Sequence, residues 1–172
     1  MPSALLLTGG SGVGKTTTAQ AIGGVLTGAG HTTGVLDLDA VAQFGGPRRP
    51  APASGLRFSD HLRIDNLAAV WRTYRAAGAD FLIASGPVFS AELRAAYTAA
   101  LPDCAVQVVR IVTAPELLEA RTRTTRGPEW DLATALAFAE THQPIEDFTV
   151  HNDGAVADTA AEILTLAGWP GS

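Results

Sequence analysis

The sequence has little of several residue types, and each scarcity excludes a class of protein. Its single cysteine, Cys104, allows no internal disulfide and suits a reducing compartment. The net charge is −5, whereas sequence-independent binding of nucleic acid needs a basic surface. No run of roughly 18 apolar residues is present, which excludes a membrane-spanning helix. We therefore expect a cytoplasmic protein that binds neither nucleic acid nor a membrane.

Lysine is equally scarce, and its one occurrence marks the segment on which the functional prediction depends. Lys15 is the only lysine, whereas the chain has eleven arginines. It lies in a match to G-x-x-x-x-G-K-[ST] that follows a short apolar run and precedes a stretch compatible with a helix. This segment consists of Gly9, Gly10, Ser11, Gly12, Val13, Gly14, Lys15 and Thr16.

This arrangement predicts a binding site for a nucleoside triphosphate. A strand, a glycine-rich turn and a helix N-terminus surround a phosphate with backbone N–H groups, and the helix dipole attracts the anion. Lys15 then reaches the β- and γ-phosphates, and the Thr16 hydroxyl is a ligand for Mg²⁺. The compact ammonium of lysine suits a position where a point charge on phosphate is needed. A glycine-rich turn that holds no ligand is the alternative.

The rest of the sequence alternates between apolar runs and amphipathic stretches. Strands are predicted over residues 4–8, 33–38, 80–84, 106–112 and 148–151, and helices over 15–27, 60–77, 132–141 and 156–167, with two more starting after Ser90 and at Pro115. Residues 45–56 contain three prolines and three glycines, so we expect a mobile loop beside the acceptor site. The pattern predicts an α/β domain over residues 1–172, with a parallel sheet that binds ligands at the carboxyl ends of its strands.

Two carboxylates, Asp37 and Asp39, lie at the end of the second predicted strand. Residues two apart on a strand project from the same face, so we expect both carboxylates in the crevice that holds the phosphates. Phosphoryl transfer to an alcohol needs a carboxylate that orients the hydroxyl and accepts its proton, and Mg²⁺ is often held through a carboxylate and water. One aspartate for each task is the functional interpretation. Two solvated acids at a strand end are the alternative.

Two further segments have both a functional and a structural interpretation. Arg121, Arg123 and Arg126 are cations that could stabilise a transferring phosphoryl group, which makes residues 121–130 a candidate lid over ATP. They could equally be a basic helix end that complements the helix dipole. Residues 58–66 are either an acceptor-binding surface or the solvated first turn of a helix, with Ser59 or Asp60 as its N-cap.

Across essentially its full length, the chain resembles the small P-loop kinases of the nucleoside-monophosphate-kinase-like class. The aspartate pair is similar to pairs in adenylylsulfate, gluconate and shikimate kinases, and chloramphenicol phosphotransferase has an aspartate that matches Asp39. The pattern from Phe58 and Ser59 to Arg63 and Asn66 is similar to that of adenylylsulfate kinase. The resemblance implies a three-layer P-loop NTPase fold with a five-stranded parallel sheet in the order 2-3-1-4-5.

The resemblance also implies roles for individual residues. Asp39 is expected to be the base, Asp37 to lie nearer the metal, and Arg121 and Arg126 to belong to the lid. The predicted site therefore consists of catalytic residues Lys15, Asp39, Arg121 and Arg126; nucleotide-binding residues Gly9, Gly10, Ser11, Gly12, Val13, Gly14, Lys15, Thr16, Thr17, Arg121 and Asn152; acceptor-binding residues Asp39, Phe58, Arg63, Asn66 and Ser85; and metal ligands Thr16 and Asp37.

Departures from related families narrow the prediction. The Lys-Gly-Leu-Tyr segment of adenylylsulfate kinases is replaced by residues 126–130, Arg-Gly-Pro-Glu-Trp, which disfavours adenylylsulfate as substrate. The third strand ends in Ala-Ser-Gly rather than an acidic residue, which disfavours a mechanical ATPase or a switch GTPase. No Asn-Lys-x-Asp motif for guanine follows the fourth strand, so adenine is the favoured base, placed near Arg121 and the turn over residues 152–154.

The sequence thus predicts an ATP- and Mg²⁺-dependent kinase that phosphorylates a hydroxyl of a small molecule. The candidate acceptors are a nucleoside or nucleotide, a sugar and an antibiotic-like metabolite. Two alternatives stay open: a nucleotide-binding regulatory or assembly module without an acceptor, and a nucleoside-monophosphate kinase. The sequence determines neither the acceptor nor whether the chain forms a homodimer.

Overall fold

Strands and helices alternate along the chain in the computed structural model, which describes residues 1–46, 55–122, 133 and 143–171. The elements are β1 (Ser3–Thr8), α1 (Lys15–Gly28), β2 (Thr33–Asp37), α2 (Phe58–Ala76), β3 (Phe81–Ser85), α3 (Ala91–Ala99), β4 (Ala105–Val112), α4 (Pro115–Thr122), β5 (Phe148–His151) and α5 (Val156–Ala167). Predicted strand ends agree with these bounds to within two residues. All of the predicted helix over 132–141 except Ala133, and most of the predicted loop over 45–56, fall outside the described ranges. None of the described helices has the length and hydrophobicity that a membrane crossing requires.

The strands form one parallel sheet in the order β2-β3-β1-β4-β5, which confirms the predicted α/β fold and strand order. In this sheet Leu7 of β1 is level with Ser85 of β3, and Ser85 is level with Asp37 of β2. The carboxyl ends of three neighbouring strands therefore lie side by side. This edge of the sheet carries the glycine-rich loop and both aspartates.

The central strand β1 anchors a core on each side of the sheet. Leu5 and Leu7 pack with Ile22 of α1 and residues of α5 on one face. On the other face, Leu6 packs with Leu67 of α2 and residues of α3. Burial of each such side chain contributes about 1.5–3 kcal/mol, so β1 is a rigid base for the loop that follows it.

The start of α2 differs from the prediction. The helix begins at Phe58 with Arg57 at the N-cap position, so the predicted cap at Ser59 or Asp60 was wrong. Asp60 lies at the third helical position, and its carboxylate accepts a hydrogen bond from the Arg57 backbone N–H at 2.9 Å. The carboxylate thus satisfies the helix start from inside the first turn. The predicted start of α3 after Ser90 is confirmed, and the Ser90 hydroxyl caps the helix by accepting a hydrogen bond from the backbone N–H of Leu93.

Candidate active site

The glycine-rich loop between β1 and α1 is held between the end of β4 and the end of α4. Gly9, Gly12 and Gly14 all have positive φ angles, of 140°, 87° and 94°. A Cβ on Gly9 would lie 2.2 Å from the Ile111 carbonyl oxygen, and one on Gly12 would lie 2.4 Å from Cγ2 of Thr122. Both the backbone conformation and the available space therefore require glycine at positions 9 and 12. The motif predicts this for Gly9 but leaves position 12 unspecified.

Lys15 folds its side chain over this loop. Its ammonium donates hydrogen bonds to the carbonyl oxygens of Gly9 at 3.0 Å and Gly10 at 2.8 Å. A positive charge therefore lies directly at the loop in which a phosphate is expected. Ser11, Thr16 and Thr17 are exposed beside it and are open to a ligand from the solvent side.

Asn152, at the end of β5, supports the loop from below. Its side chain is 1% exposed, donates to the Val13 carbonyl at 2.8 Å, and accepts from the Thr159 hydroxyl at 3.0 Å. The Asn152 side chain thus contacts the glycine-rich loop through the Val13 carbonyl. The predicted contact of Asn152 with the nucleotide itself stays a prediction.

Arg121 connects α4 to the turn after β5. Its guanidinium donates to the carbonyl oxygens of Asn152 at 2.6 Å and Gly154 at 3.4 Å. Arg121 is therefore at the turn near which adenine was placed, although adenine binding and a lid role stay predictions. Arg123 and Arg126, with the rest of the predicted lid, are beyond the described residues.

The Thr16 hydroxyl and the Asp37 carboxylate meet across the crevice between α1 and β2, with Thr16 donating to Oδ2 at 3.0 Å. The other carboxylate oxygen of Asp37 accepts from the backbone N–H groups of Asp39 at 2.9 Å and Ala40 at 3.2 Å. β2 ends at Asp37, so Asp39 is not on the strand. The prediction that strand alternation places both carboxylates on one face was therefore wrong. A turn closed by the Asp37 carboxylate brings Asp39 forward instead.

The Thr16–Asp37 pair fits Mg²⁺ because both side chains supply oxygen. Mg²⁺ keeps several waters and is commonly bound through one or two protein oxygens together with substrate phosphates. The part of the chain described by the structure contains no cluster of three or more His, Cys, Asp and Glu side chains suited to a metal. Metal binding by Thr16 and Asp37 at the glycine-rich loop stays a prediction.

Asp39 is paired with Arg63 of α2. Arg63 donates from Nε at 3.1 Å and from Nη2 at 2.8 Å, and both bonds reach Oδ1 of the carboxylate. The Arg63 side chain is 14% exposed, whereas that of Asp39 is 58% exposed. The pair therefore combines a fixed cation with a carboxylate that solvent can reach.

The other three predicted acceptor residues make contacts of their own or are buried. The Asn66 amide donates to the Val41 carbonyl at 2.6 Å and thereby holds the short 3-10 turn after Asp39. Phe58 packs edge-to-face against Phe44, with ring centroids 5.6 Å apart. Ser85 is 2% exposed at the end of β3. No acceptor contact of these residues is established, so their binding roles stay predictions.

The sequence reasoning missed two residues of this region, Asp60 and Tyr97. Asp60 was considered only as a helix cap, although its spacing of three from Arg63 is the signal of an ion pair on one helix face. The two side chains are 3.0 Å apart. Tyr97 of α3 is fully buried, and its hydroxyl has no hydrogen-bond partner among the described residues. No sequence pattern marks a tyrosine of this kind.

No protein-family model matches the chain, and no curated protein matches its sequence. Solved structures do match. A sugar kinase from a Janibacter species is 18% identical, with 99% of this chain and 96% of that chain covered and a TM-score of 0.69. The APS kinase of Mycobacterium tuberculosis, determined with AMPPNP and APS, is 22% identical, with 97% and 98% covered and a TM-score of 0.63. The shikimate kinase of Bacteroides thetaiotaomicron is 16% identical, with 96% and 98% covered and a TM-score of 0.66.

The chain has the fold of small P-loop kinases. This likeness confirms the resemblance that the loop and the aspartate pair predicted. At these identities the P-loop kinase fold is what the likeness establishes, since one fold supports many chemistries. The reaction has to be argued from the site residues.

Proposed function

We propose that this protein is an ATP- and Mg²⁺-dependent kinase that transfers the γ-phosphate to a hydroxyl of a small molecule. The observation that carries the proposal is the position of Asp39. Its carboxylate is solvent-accessible and is oriented by Arg63. Asp39 lies in the turn directly after Asp37, and Asp37 accepts a hydrogen bond from Thr16 of the glycine-rich loop. A module that only held a nucleotide would have no use for a second, separately oriented carboxylate there.

The phosphate loop and its neighbours bind the triphosphate. Backbone N–H groups of the loop and the N-terminus of α1 receive the phosphates, and Lys15 exchanges contacts with loop carbonyls for phosphate oxygens. Thr16 and Asp37 would hold Mg²⁺, Asp37 through water. When bound, Mg²⁺ neutralises charge on the phosphates.

Asp39 acts on the acceptor. Its carboxylate orients the hydroxyl and takes its proton as the hydroxyl oxygen bonds to the γ-phosphorus. The bond from that phosphorus to the β–γ bridging oxygen breaks, and ADP leaves. Arg121 and Arg126 supply positive charge to the transferring group from the lid. The acceptors that fit this chemistry are a nucleoside or nucleotide, a sugar and an antibiotic-like metabolite.

The test is transfer of label from γ-labelled Mg-ATP into a small-molecule extract. Native protein is compared with Asp39→Asn and with a control, Asp80→Asn, which removes an exposed carboxylate at the opposite edge of the sheet. Loss of a general base reduces the rate by about 10²–10⁴-fold, so Asp39→Asn should give almost no labelled product. Its affinity for a non-hydrolysable ATP analogue should be retained.

Three outcomes are informative. A product made by native protein and Asp80→Asn, and not by Asp39→Asn, supports the kinase and provides the acceptor for identification. Equal product from Asp39→Asn would remove Asp39 from the mechanism. Absence of product from native protein in extracts of varied origin, with ATP binding intact, would favour a nucleotide-binding module.

A further inference from the structure

The carboxylate of Asp60 lies beneath the acceptor side of the site and is almost completely buried, with 4% of the residue exposed. It accepts hydrogen bonds from the backbone N–H of Arg57 at 2.9 Å, from Nε of Arg57 at 3.1 Å and from Nη1 of Arg63 at 3.0 Å. Removing a charge from water costs several kcal/mol unless it is paired and hydrogen-bonded. A neutral side chain could cap α2 with a smaller desolvation cost. Helix capping alone therefore does not explain why a charged residue occupies this position.

Arg63 divides its nitrogens between two carboxylates. Nη1 donates to Asp60, while Nε and Nη2 donate to Oδ1 of Asp39. A guanidinium is planar and rigid, so the bond to Asp60 also determines where the other two N–H groups point. Both of these N–H groups reach the same oxygen of Asp39, and none of the described residues donates a hydrogen bond to the other oxygen, Oδ2.

We propose that Asp60 is a positioning residue of the acceptor site: it holds Arg63 in the orientation that leaves Oδ2 of Asp39 open to the acceptor hydroxyl. The proposal rests on the proposed kinase function. Without the charge of Asp60, Arg63 is released to form the two-pronged pair that arginine prefers with a carboxylate, with one N–H on each oxygen. Oδ2 of Asp39 would then accept a charge-assisted hydrogen bond, which makes it a weaker base and leaves the acceptor hydroxyl competing with the guanidinium for that oxygen.

Two variants separate this role from helix capping. Asp60→Asn keeps an oxygen that can accept from the Arg57 N–H but loses the charge that holds Arg63. Asp65→Asn removes an exposed carboxylate from the same helix and serves as the matched control. Rates of label transfer from γ-labelled Mg-ATP are measured over a dilution series of the small-molecule extract, at a temperature where circular dichroism shows each variant folded.

At saturating extract, Asp60→Asn is expected to transfer label about tenfold more slowly than native protein or worse, since small displacements of a catalytic group have effects of this size. Its affinity for a non-hydrolysable ATP analogue should stay within about twofold of the native value, because the change lies on the acceptor side. Asp65→Asn should match native protein in both measurements. A residue that only capped α2 would lower the unfolding temperature and leave the rate of the folded protein unchanged.

A folded Asp60→Asn variant with the native rate would overturn the proposal. If Asp60→Asn does not fold, Arg63→Lys gives the answer, because a single ammonium cannot bridge both carboxylates in a fixed plane. A native maximal rate in Arg63→Lys would then overturn the proposal. A lower rate at saturating extract, with retained ATP affinity, would support it, because loss of an acceptor contact alone would raise only the amount of extract needed for half-maximal transfer. Failure of the kinase function itself looks different, since native protein would then transfer no label.

Discussion

The hydroxyl of Thr16, at the start of α1, donates a hydrogen bond of 3.0 Å to the carboxylate of Asp37, at the end of β2. The two residues are 21 positions apart in the sequence. They meet because both β1 and β2 are parallel to β3 and end at the same edge of the sheet. The contact joins the glycine-rich loop to the turn that carries Asp39.

Thr16→Val should weaken Mg²⁺ binding without unfolding the protein. The side chain is exposed, so we expect the free energy of unfolding to change by no more than about 0.5 kcal/mol. Loss of the hydroxyl should raise the Mg²⁺ concentration needed for half-maximal binding of an ATP analogue by about tenfold or more. Thr16→Ser keeps the hydroxyl and is the control. Equal Mg²⁺ dependence of the valine and serine variants would contradict a metal-binding role.

Asn152→Ala should both destabilise the fold and weaken nucleotide binding. The change leaves the buried Thr159 hydroxyl without its partner and leaves the Val13 carbonyl with only the 3.4 Å bond from the Thr113 hydroxyl, which costs about 1–3 kcal/mol. Denaturant unfolding followed by tryptophan fluorescence measures the stability, and calorimetry measures the affinity for an ATP analogue. Combination with Thr159→Val tests the pairing. Strictly additive effects of the two changes would show that the residues act separately.

Gly12→Ala and Gly24→Ala should have opposite effects on stability. At Gly12 the φ angle is 87° and a Cβ would lie 2.4 Å from Thr122, so alanine should cost about 1–3 kcal/mol and also lower ATP-analogue affinity. At Gly24, inside α1, nothing lies within 4 Å of the position that a Cβ would occupy, and alanine should stabilise the helix by about 0.5–1 kcal/mol. Unfolding curves of both variants check the signs. A stabilised Gly12→Ala variant would be inconsistent with the loop conformation.

Tyr97→Phe should not reduce stability at neutral pH. The hydroxyl is buried and without a hydrogen-bond partner in the described structure, so its removal should be neutral or stabilising by about 1 kcal/mol. Denaturant titration at pH 7 measures the difference. A clear loss of stability would show that the hydroxyl has a bound partner.

Tyr97 should also make the stability of the folded protein depend on pH in the alkaline range. Burial raises the pKa of Tyr97, with the charges of Arg63 and Asp60 as smaller influences. The folded protein keeps this phenol neutral, whereas unfolded tyrosine ionises near pH 10. Ionisation therefore favours the unfolded state, so stability is unaffected by this group below about pH 10 and falls as the pH rises further. Tyr97→Phe should lack this part of the loss, whereas Tyr74→Phe should retain it. Identical unfolding profiles of the Tyr97→Phe variant and native protein above pH 10 would contradict the assignment.

Much of the fold followed from local patterns. The alternation of apolar runs with amphipathic stretches predicted every strand of the sheet because strands and helices are largely selected by the spacing of neighbouring residues. The loop motif predicted a glycine-rich turn between a strand and a helix, and the structure has this turn between β1 and α1. The resemblance to small kinases then supplied the strand order that the structure confirmed.

The connections within the site depended on tertiary structure. Arg63 and Asp39 are 24 positions apart, and Asn152 and Val13 are 139 apart, so no local pattern relates them. A turn at the end of β2, and not strand alternation, places Asp39 near Arg63. Asp60 is buried and forms an ion pair with the same arginine. Such pairings arise only when parallel strands bring their carboxyl ends to one edge, because the sheet decides which loops and helix starts become neighbours. Residue spacing thus specified the elements and the phosphate loop, and packing across the sheet decided which charges meet.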